Sequence, residues 1–456
     1  MARDKRQDTT ERNDAKSDWL VRFANRLVAA VFVLVPFHAF LTVWGSSVIG
    51  GGYDALRLWT VVALGLLLVI VAWWLLQEKR LRTWFGRNFL VRVAGVYILM
   101  SLLLAIIGFA SGNVSAKAMG IGLFLNTRFV LFFVLVMVVV HKSTWLQGHW
   151  KSLVLIPGLV VAIFAVLQYL VLPINFLSYF GYGADTIPAY STINSNHEYI
   201  RVSSTLRGPN PLGAYLVLLI SALAVSLRGF NIVAVVRRGL YLVLASMALL
   251  FSFSRSAWLG VVVAMIVFGF LLATSRRLRL ILAVVLLGFG LVSAGAYYIA
   301  QENRGVQNAI FHTDDDSKVA ISSNESRLQA QERALQLVSE NPFGLGPGSA
   351  GPASVYNQQQ TAVISENYFL QIAIETGWPG LLLFVFLLVL VTTQLFAMRQ
   401  KSLAMVLLMS LAGLTLVNLL SHAWTDETIA FTWWGLLGIA LGTAVGPVKR
   451  RKLHHA

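Results

Sequence analysis

Residues 363–380, "VISENYFLQIAIETGWPG", begin as a polar loop, carry a carboxylate at Glu366, and then enter an apolar run that continues to about residue 396. A stretch that long, apolar throughout, exceeds what a soluble core helix uses and matches the roughly 20 residues that cross a bilayer. The pattern recurs along the chain, and its hydrophobicity is continuous, not alternating, which excludes an outer-membrane barrel. With 57% hydrophobic and 12% charged residues and a mean hydropathy of +0.71, the whole molecule belongs in a membrane. The fold expected is all-α: a polytopic helical membrane protein.

Hydropathy predicts about twelve transmembrane spans, at 23–44, 56–76, 89–109, 121–140, 153–172, 211–227, 239–251, 257–273, 280–299, 367–396, 403–420 and 428–446. The seventh and eighth are short and poorly separated, so ten or eleven also fit. The divisions that follow are a cytoplasmic polar tail (1–18), helices one to nine (19–300), an outer loop with an amphipathic helix (301–366), helices ten to twelve (367–446) and a basic cytoplasmic tail (447–456). A net charge of +16 would suggest a nucleic-acid partner in a soluble protein. Here the lysines and arginines concentrate in alternate loops, such as "QEKRLRTWFGRN" and "TSRRLR", and in the tail "VKRRKLHH". That is the positive-inside pattern with both termini cytoplasmic and no nucleic acid implied. No cysteine is present, so disulfides and thiolate chemistry drop out.

Two outer loops, 173–210 and 300–366, are too long to be simple connections. The second contains "SSNESRLQAQERALQLVSENPFGLGPG", with a capping box from Ser322 to Glu325 and Leu328, Leu335 and Val338 on one helical face. An amphipathic helix on the outer surface is expected there. Span centres are nearly free of charge. Arg201, Arg207 and Arg255 all lie near helix ends on the outer side, where a guanidinium fork suits a phosphate-bearing ligand. For Arg255, snorkelling to lipid headgroups is the other reading. "HTDDD" at 312–316 is a solvated turn before it is a divalent-metal cluster, and the "GGG" at 50–52 and "GLGPG" are hinges, lacking the lysine of a nucleotide loop. "HAWTDETIAFTWWG" fits an interfacial tryptophan belt, with Asp426 and Glu427 placed where they could meet a sugar. No metal or cofactor is called for.

Three segments together resemble the O-antigen ligase and polymerase family of membrane glycosyltransferases. "RVSSTLRGPNPLGAYL" is similar to the family's R-x-x-G-T-F-x-x-P-N-x-L-G through Arg201, Pro209, Asn210, Leu212 and Gly213, with Ser204 in place of the glycine and Leu206 in place of the phenylalanine. "FSFSRSAWLG" resembles its S-R-x-x-W/F-L/I-G motif through Ser254, Arg255 and Gly260. "NPFGLGPGSAG" and "SENYFLQIAIETGWPGLL" resemble its N-P-x-x-G-x-G and H-N-x-x-L-x-x-x-x-E-x-G-x-x-G segments, through Asn341, Pro342, Gly346, Gly348, Asn367, Leu370, Glu375, Gly377 and Gly380. The likeness covers about residues 190–390; the N-terminal third shares only hydropathy.

The resemblance implies transfer of a glycan from a polyprenyl diphosphate to an acceptor hydroxyl of a glycan, lipid or protein, at the outer face of a bacterial inner membrane. Arg201 and Arg255 would hold the diphosphate, and Arg207, Asn210, Arg327 and Asn367 would contact substrate. Glu366 stands where family ligases carry a histidine taken as the base, which tilts the expectation toward a polymerase. Capping a helix or pairing with an arginine is the other reading of Glu366, and His197 or His422 could supply the missing imidazole. A transporter of a lipid-linked or anionic substrate is the alternative from another class, but no internal repeat is visible.

Overall fold

The computed structural model describes residues 19–193, 196–228, 232–273, 275–277, 280, 323–357 and 362–442. Ten helices among them are long and apolar enough to cross a membrane. They are α1 (Trp19–Ile49), α2 (Tyr53–Gln77), α4 (Phe89–Ala110), α5 (Ala116–Lys142), α6 (Trp145–Leu170), α7 (Pro209–Ser226), α8 (Ile232–Phe251), α9 (Arg255–Leu272), α11 (Tyr368–Ala397) and α12 (Ser402–Leu420). Between them lie a short basic helix, α3 (Lys79–Arg87), and the loop helix α10 (Ser323–Glu340). The last expected span is the shorter apolar helix α13 (Glu427–Leu441). All but the first residue of the ninth expected span, 280–299, lies outside the described residues, as do the "HTDDD" stretch and Ser322 of the capping box.

The seventh and eighth spans are distinct helices. Phe253, in the left-handed region at φ 48°, turns the chain sharply between α8 and α9. The loop 173–208 adds a small antiparallel hairpin to the all-α plan, β1 (Ser191–Ile193) with β2 (Asn196–Arg201), in which Ser191 faces Arg201.

Helices α5, α7 and α12 are buried on most sides, whereas the outer helices expose long apolar flanks, such as Val69, Leu76, Ile106 and Val236. In water such a surface would aggregate; in hydrocarbon it is the expected exterior, because every helix satisfies its own backbone. The tryptophan belt expected near the C-terminus is not one: Trp424, Trp433 and Trp434 are fully buried, with ring centroids 5.3 to 6.0 Å apart. Trp433 Nε1 donates to Ser410 of α12, while Trp434 packs on Phe129 and Phe133 of α5 and Phe384 of α11, because large apolar faces stabilise most when wholly enclosed.

Contacts between loops sort by end. At one end Val202 N donates to Phe251 O, Ser115 Oγ to Tyr356 O and Tyr368 N to Ser421 O. At the other Lys142 Nζ lies 2.6 Å from Glu78 Oε1, and Gln147 Nε2 donates to Gly442 O. The first end holds the loops expected outside, the second those expected inside. Helix α1 breaks at the 3-10 turn Val35–Phe37, where Pro36 interrupts the ladder. Thr205 closes the break from the first outer loop: its Oγ1 donates to Pro36 O, and its carbonyl accepts from Phe40 N.

The glycine-rich turn after α10 is a packed joint and no hinge. Leu345 N and Gly346 N donate to Ile374 O and Glu375 O, and Trp378 N donates to Pro342 O. A Cβ on Gly348 would lie 2.3 Å from Ala118 O, and one on Gly377 2.4 Å from Pro342 O, both at positive φ. Backbone meets backbone here, which only glycine permits. Glu375, fully buried, ties the joint to α5 by accepting from Asn126 Nδ2 and Gly348 N, each at 2.7 Å.

Helix α10 packs on α11 through Ala334 and Val338, leaving Leu328 and Leu335 exposed. The face expected from Leu328, Leu335 and Val338 is therefore split, because the close approach of α11 favours the small alanine row.

Candidate functional site

The site grows from the segment 201–216. Arg201 ends β2, and its guanidinium is held from two sides: Nε donates to Ser252 O at 3.1 Å, and Nη2 to Asn210 Oδ1 at 2.7 Å. Asn210 can face it because Pro209, at the start of α7, begins the helix with a residue whose missing N–H costs nothing there. Ser252 belongs to the turn that carries Arg255 into the first position of α9. Burial pushes the Arg201 guanidinium down to about 10, with the fields of Arg255 and Arg327 acting the same way. It stays charged at neutral pH. Arginines on β2, α9 and α10 thus stand within electrostatic reach of one another, which raises the cost of each charge.

An acid stands beside them: Glu366 Oε2 lies 3.7 Å from Arg327 Nη2. Glu366 is held at φ 51°; with Ser204 at 52° and Phe253 at 48° it makes up the three non-glycine residues in left-handed backbone among the described residues. Glu366 pairs with Arg327, Phe253 lies two residues before Arg255, and Ser204 lies three after Arg201. Such conformations cost on the order of 1–3 kcal/mol each and gather at functional sites. Ser204 explains the glycine usual at its position: the backbone there is left-handed whichever residue occupies it. Its hydroxyl donates to Val161 O at 2.8 Å, and its N–H to Gln168 Oε1 at 2.9 Å, which offsets the strain.

Asn367, next to Glu366, caps α11, its Oδ1 accepting from Phe369 N and Leu370 N. The alternative of Glu366 itself as the cap is thus taken by its neighbour. Since Tyr368 N bonds Ser421 O, the turn after α12 is brought against this loop and with it His422. Burial holds His422 below its ordinary value; Glu366 and Asp426 push it up, Arg207 and Arg327 down. A neutral imidazole therefore stands within electrostatic reach of Glu366. The side chain of His197 lies outside the described residues.

Arg207 does not join the three arginines. It is half exposed, with Nε 3.8 Å from Asp426 Oδ2, on the wall of a separate cavity of about 950 Å³ between α1, α2, α5 and the loops around 352–356 and 425–428. Sequence reading missed the wall's main feature. Arg128, in α5, is 2% exposed; its Nη1 donates to Glu427 Oε1 at 2.5 Å and its Nη2 to Thr425 O at 2.6 Å. Glu427 Oε2 also lies 2.9 Å from His38 Nε2, while His38 Nδ1 accepts from Trp59 Nε1. An indole only donates, so His38 Nδ1 is the acceptor of that bond. The signal was present: an arginine within the fourth span, where an unpaired charge is expensive.

These features define a class: a polytopic helical membrane protein with arginines, the Glu366 carboxylate and the His422 imidazole within electrostatic reach at one end of the bundle. Residues 240–385, about a third of the chain, match the family described as O-Antigen ligase. The match includes Arg255, Arg327, Glu366 and Asn367. The chain is also 32% identical over 69 residues to an O-antigen polymerase of Salmonella muenchen, a stretch covering 15% of this chain and 17% of that protein. Together these support assignment of the chain to the O-antigen ligase and polymerase family.

Proposed function

We propose that the chain is a glycosyltransferase that moves a glycan from a polyprenyl diphosphate to an acceptor hydroxyl at the outer face of the inner membrane, in cell-surface polysaccharide synthesis. The observation that supports this is that Arg201, Arg255 and Arg327 lie within electrostatic reach of one another, with Glu366 3.7 Å from Arg327 and acting on His422. In the proposed reaction the bond between the anomeric carbon and the diphosphate oxygen breaks, and the acceptor oxygen bonds that carbon from the opposite face. Configuration inverts. The leaving diphosphate keeps the electron pair, and Arg201 and Arg255 stabilise its charge from fixed positions, an effect worth several kcal/mol in such sites. The acceptor's proton passes to Glu366, or through it to His422. The donor is already activated, so the proposed route uses no metal and no cofactor.

Polymerase is favoured over ligase, since a glutamate occupies the place of the ligase histidine. The test is mass spectrometry of polyprenyl-linked glycans from cells lacking the gene. Single repeat units accumulating would support polymerisation; full-length chains retained on the carrier would assign ligation instead. An unchanged profile would return the reading to a transporter.

A further inference from the structure

At the end of the bundle opposite Arg201, the short helix α3 reads "KRLRTWFGR" and joins α2 to α4. One side of it is fixed to the bundle. Leu81 is 2% exposed, Trp84 stacks on His141 with ring centroids 4.0 Å apart, and Arg92 Nε donates to Gly86 O at 2.7 Å. The other side is open: Lys79, Arg80, Thr83 and Arg87 are exposed, and with Trp84 and Asn88 they line a cavity of about 730 Å³. Residues 79, 83 and 87 form one row along the helix and 80, 84 and 88 the row beside it, so three of the cations share a face. Glu78, the acid next to them in the chain, is engaged by Lys142 Nζ at 2.6 and 2.8 Å. Among the described residues no carboxylate stands within ion-pair distance of Lys79, Arg80 or Arg87. The cavity is therefore cationic, and its natural occupant is an anion.

The surroundings say which kind. Trp73 and Leu76, near the end of α2, and Phe89, the first residue of α4, are exposed apolar side chains. Since α2 and α4 are both long and apolar enough to cross a membrane, α3 lies where one span ends and the next begins, at headgroup depth. A phosphate joined to acyl chains is attracted by the cations and the apolar flanks together, whereas a free phosphate meets only the cations. A choline headgroup carries a cation of its own, which these side chains repel. We propose that the cavity binds the phosphodiester headgroup of an anionic phospholipid, held by Lys79, Arg80 and Arg87, with its acyl chains against the apolar flanks of α2 and α4. The site is independent of the glycosyltransferase reading, and neither its success nor its failure bears on Arg201 or Glu366.

The test uses the full chain in phosphatidylcholine nanodiscs doped with a photoreactive phosphatidylglycerol, the cross-links being mapped by peptide mass spectrometry. Labelling is expected between Trp73 and Phe89, saturating as the phosphatidylglycerol fraction rises. Removing one cation, in Arg80→Gln or Arg87→Gln, should raise the half-saturating fraction roughly fivefold, the weight of one basic side chain at an anionic surface. The triple variant Lys79→Gln, Arg80→Gln, Arg87→Gln should lose the labelling, and the equally discharged Arg276→Gln, Arg277→Gln, Lys401→Gln should keep it. All six side chains are exposed, and size-exclusion profiles check that both proteins are folded. Labelling that survives the first triple variant, or falls equally in the second, overturns the assignment. Equal labelling by a photoreactive phosphatidylcholine overturns it too, since the cations would then select nothing. Displacement by inorganic phosphate as effective as by unlabelled phosphatidylglycerol would make the cavity a soluble-phosphate site and overturn the lipid assignment.

Discussion

Arg255 does its proposed work through shape as well as charge. A lysine at 255 keeps the charge but loses the planar fork that grips two phosphate oxygens at once. Arg255→Lys is expected to lower turnover roughly a hundredfold, the scale of losing one fixed donor at a developing anion, with folding unchanged by thermal melting. His422 yields a pH prediction. Burial depresses its proton affinity, with Arg207 and Arg327 adding to the effect, so it is neutral at pH 7. Turnover should hold at neutral pH and fall on acidification only below the ordinary histidine value of about 6.5. Glu366 raises the affinity of His422, so the residual activity of Glu366→Gln should show its acid limb at lower pH. An acid limb that persists unmoved in His422→Gln would remove the imidazole from the proton path.

At the scale of elements, the joint between the glycine-rich turn and α11 holds the loop helix where Arg327 can reach Glu366. Gly348 lies at φ 96° against the start of α5, and a methyl group there meets a carbonyl oxygen. Gly348→Ala should therefore destabilise the folded protein by about 3 kcal/mol, the upper range of overpacking, read as a lower melting temperature in detergent. Glu375→Leu should also destabilise, since Asn126 Nδ2 and Gly348 N would both lose their acceptor. Normal melting of Glu375→Leu with lost turnover would instead make Glu375 part of the chemistry.

For the whole molecule, the two ends of the bundle are separated by charge and by hydrogen bonding. The chain has no cysteine, so a single introduced thiol reports topology without background. A cysteine replacing Glu332 on α10 should react with a membrane-impermeant maleimide on spheroplasts. One replacing Arg80 on α3 should react only after permeabilisation. The reverse pattern would invert the orientation and place the arginine cluster in the cytoplasm.

The sequence by itself determined the membrane class and most span positions, and it named Arg201, Arg255 and Glu366 as candidates. These follow from local properties: twenty apolar residues in a row, charges between them, and short motifs at helix ends. Tertiary structure alone decided the rest. Arg128, Glu427 and His38 stand far apart in the chain, and only the packing of α5 against α13 and α1 pairs them. Arg207 and Arg201 are six positions apart, yet Arg207 lines the cavity while Arg201 binds Ser252 and Asn210, because Ser204 and the stitched break at Pro36 turn the backbone between them. The tryptophans look interfacial in sequence and are core in fact. An amphipathic ring suits both places, and hydropathy measures affinity for the membrane without saying which neighbour fills the space.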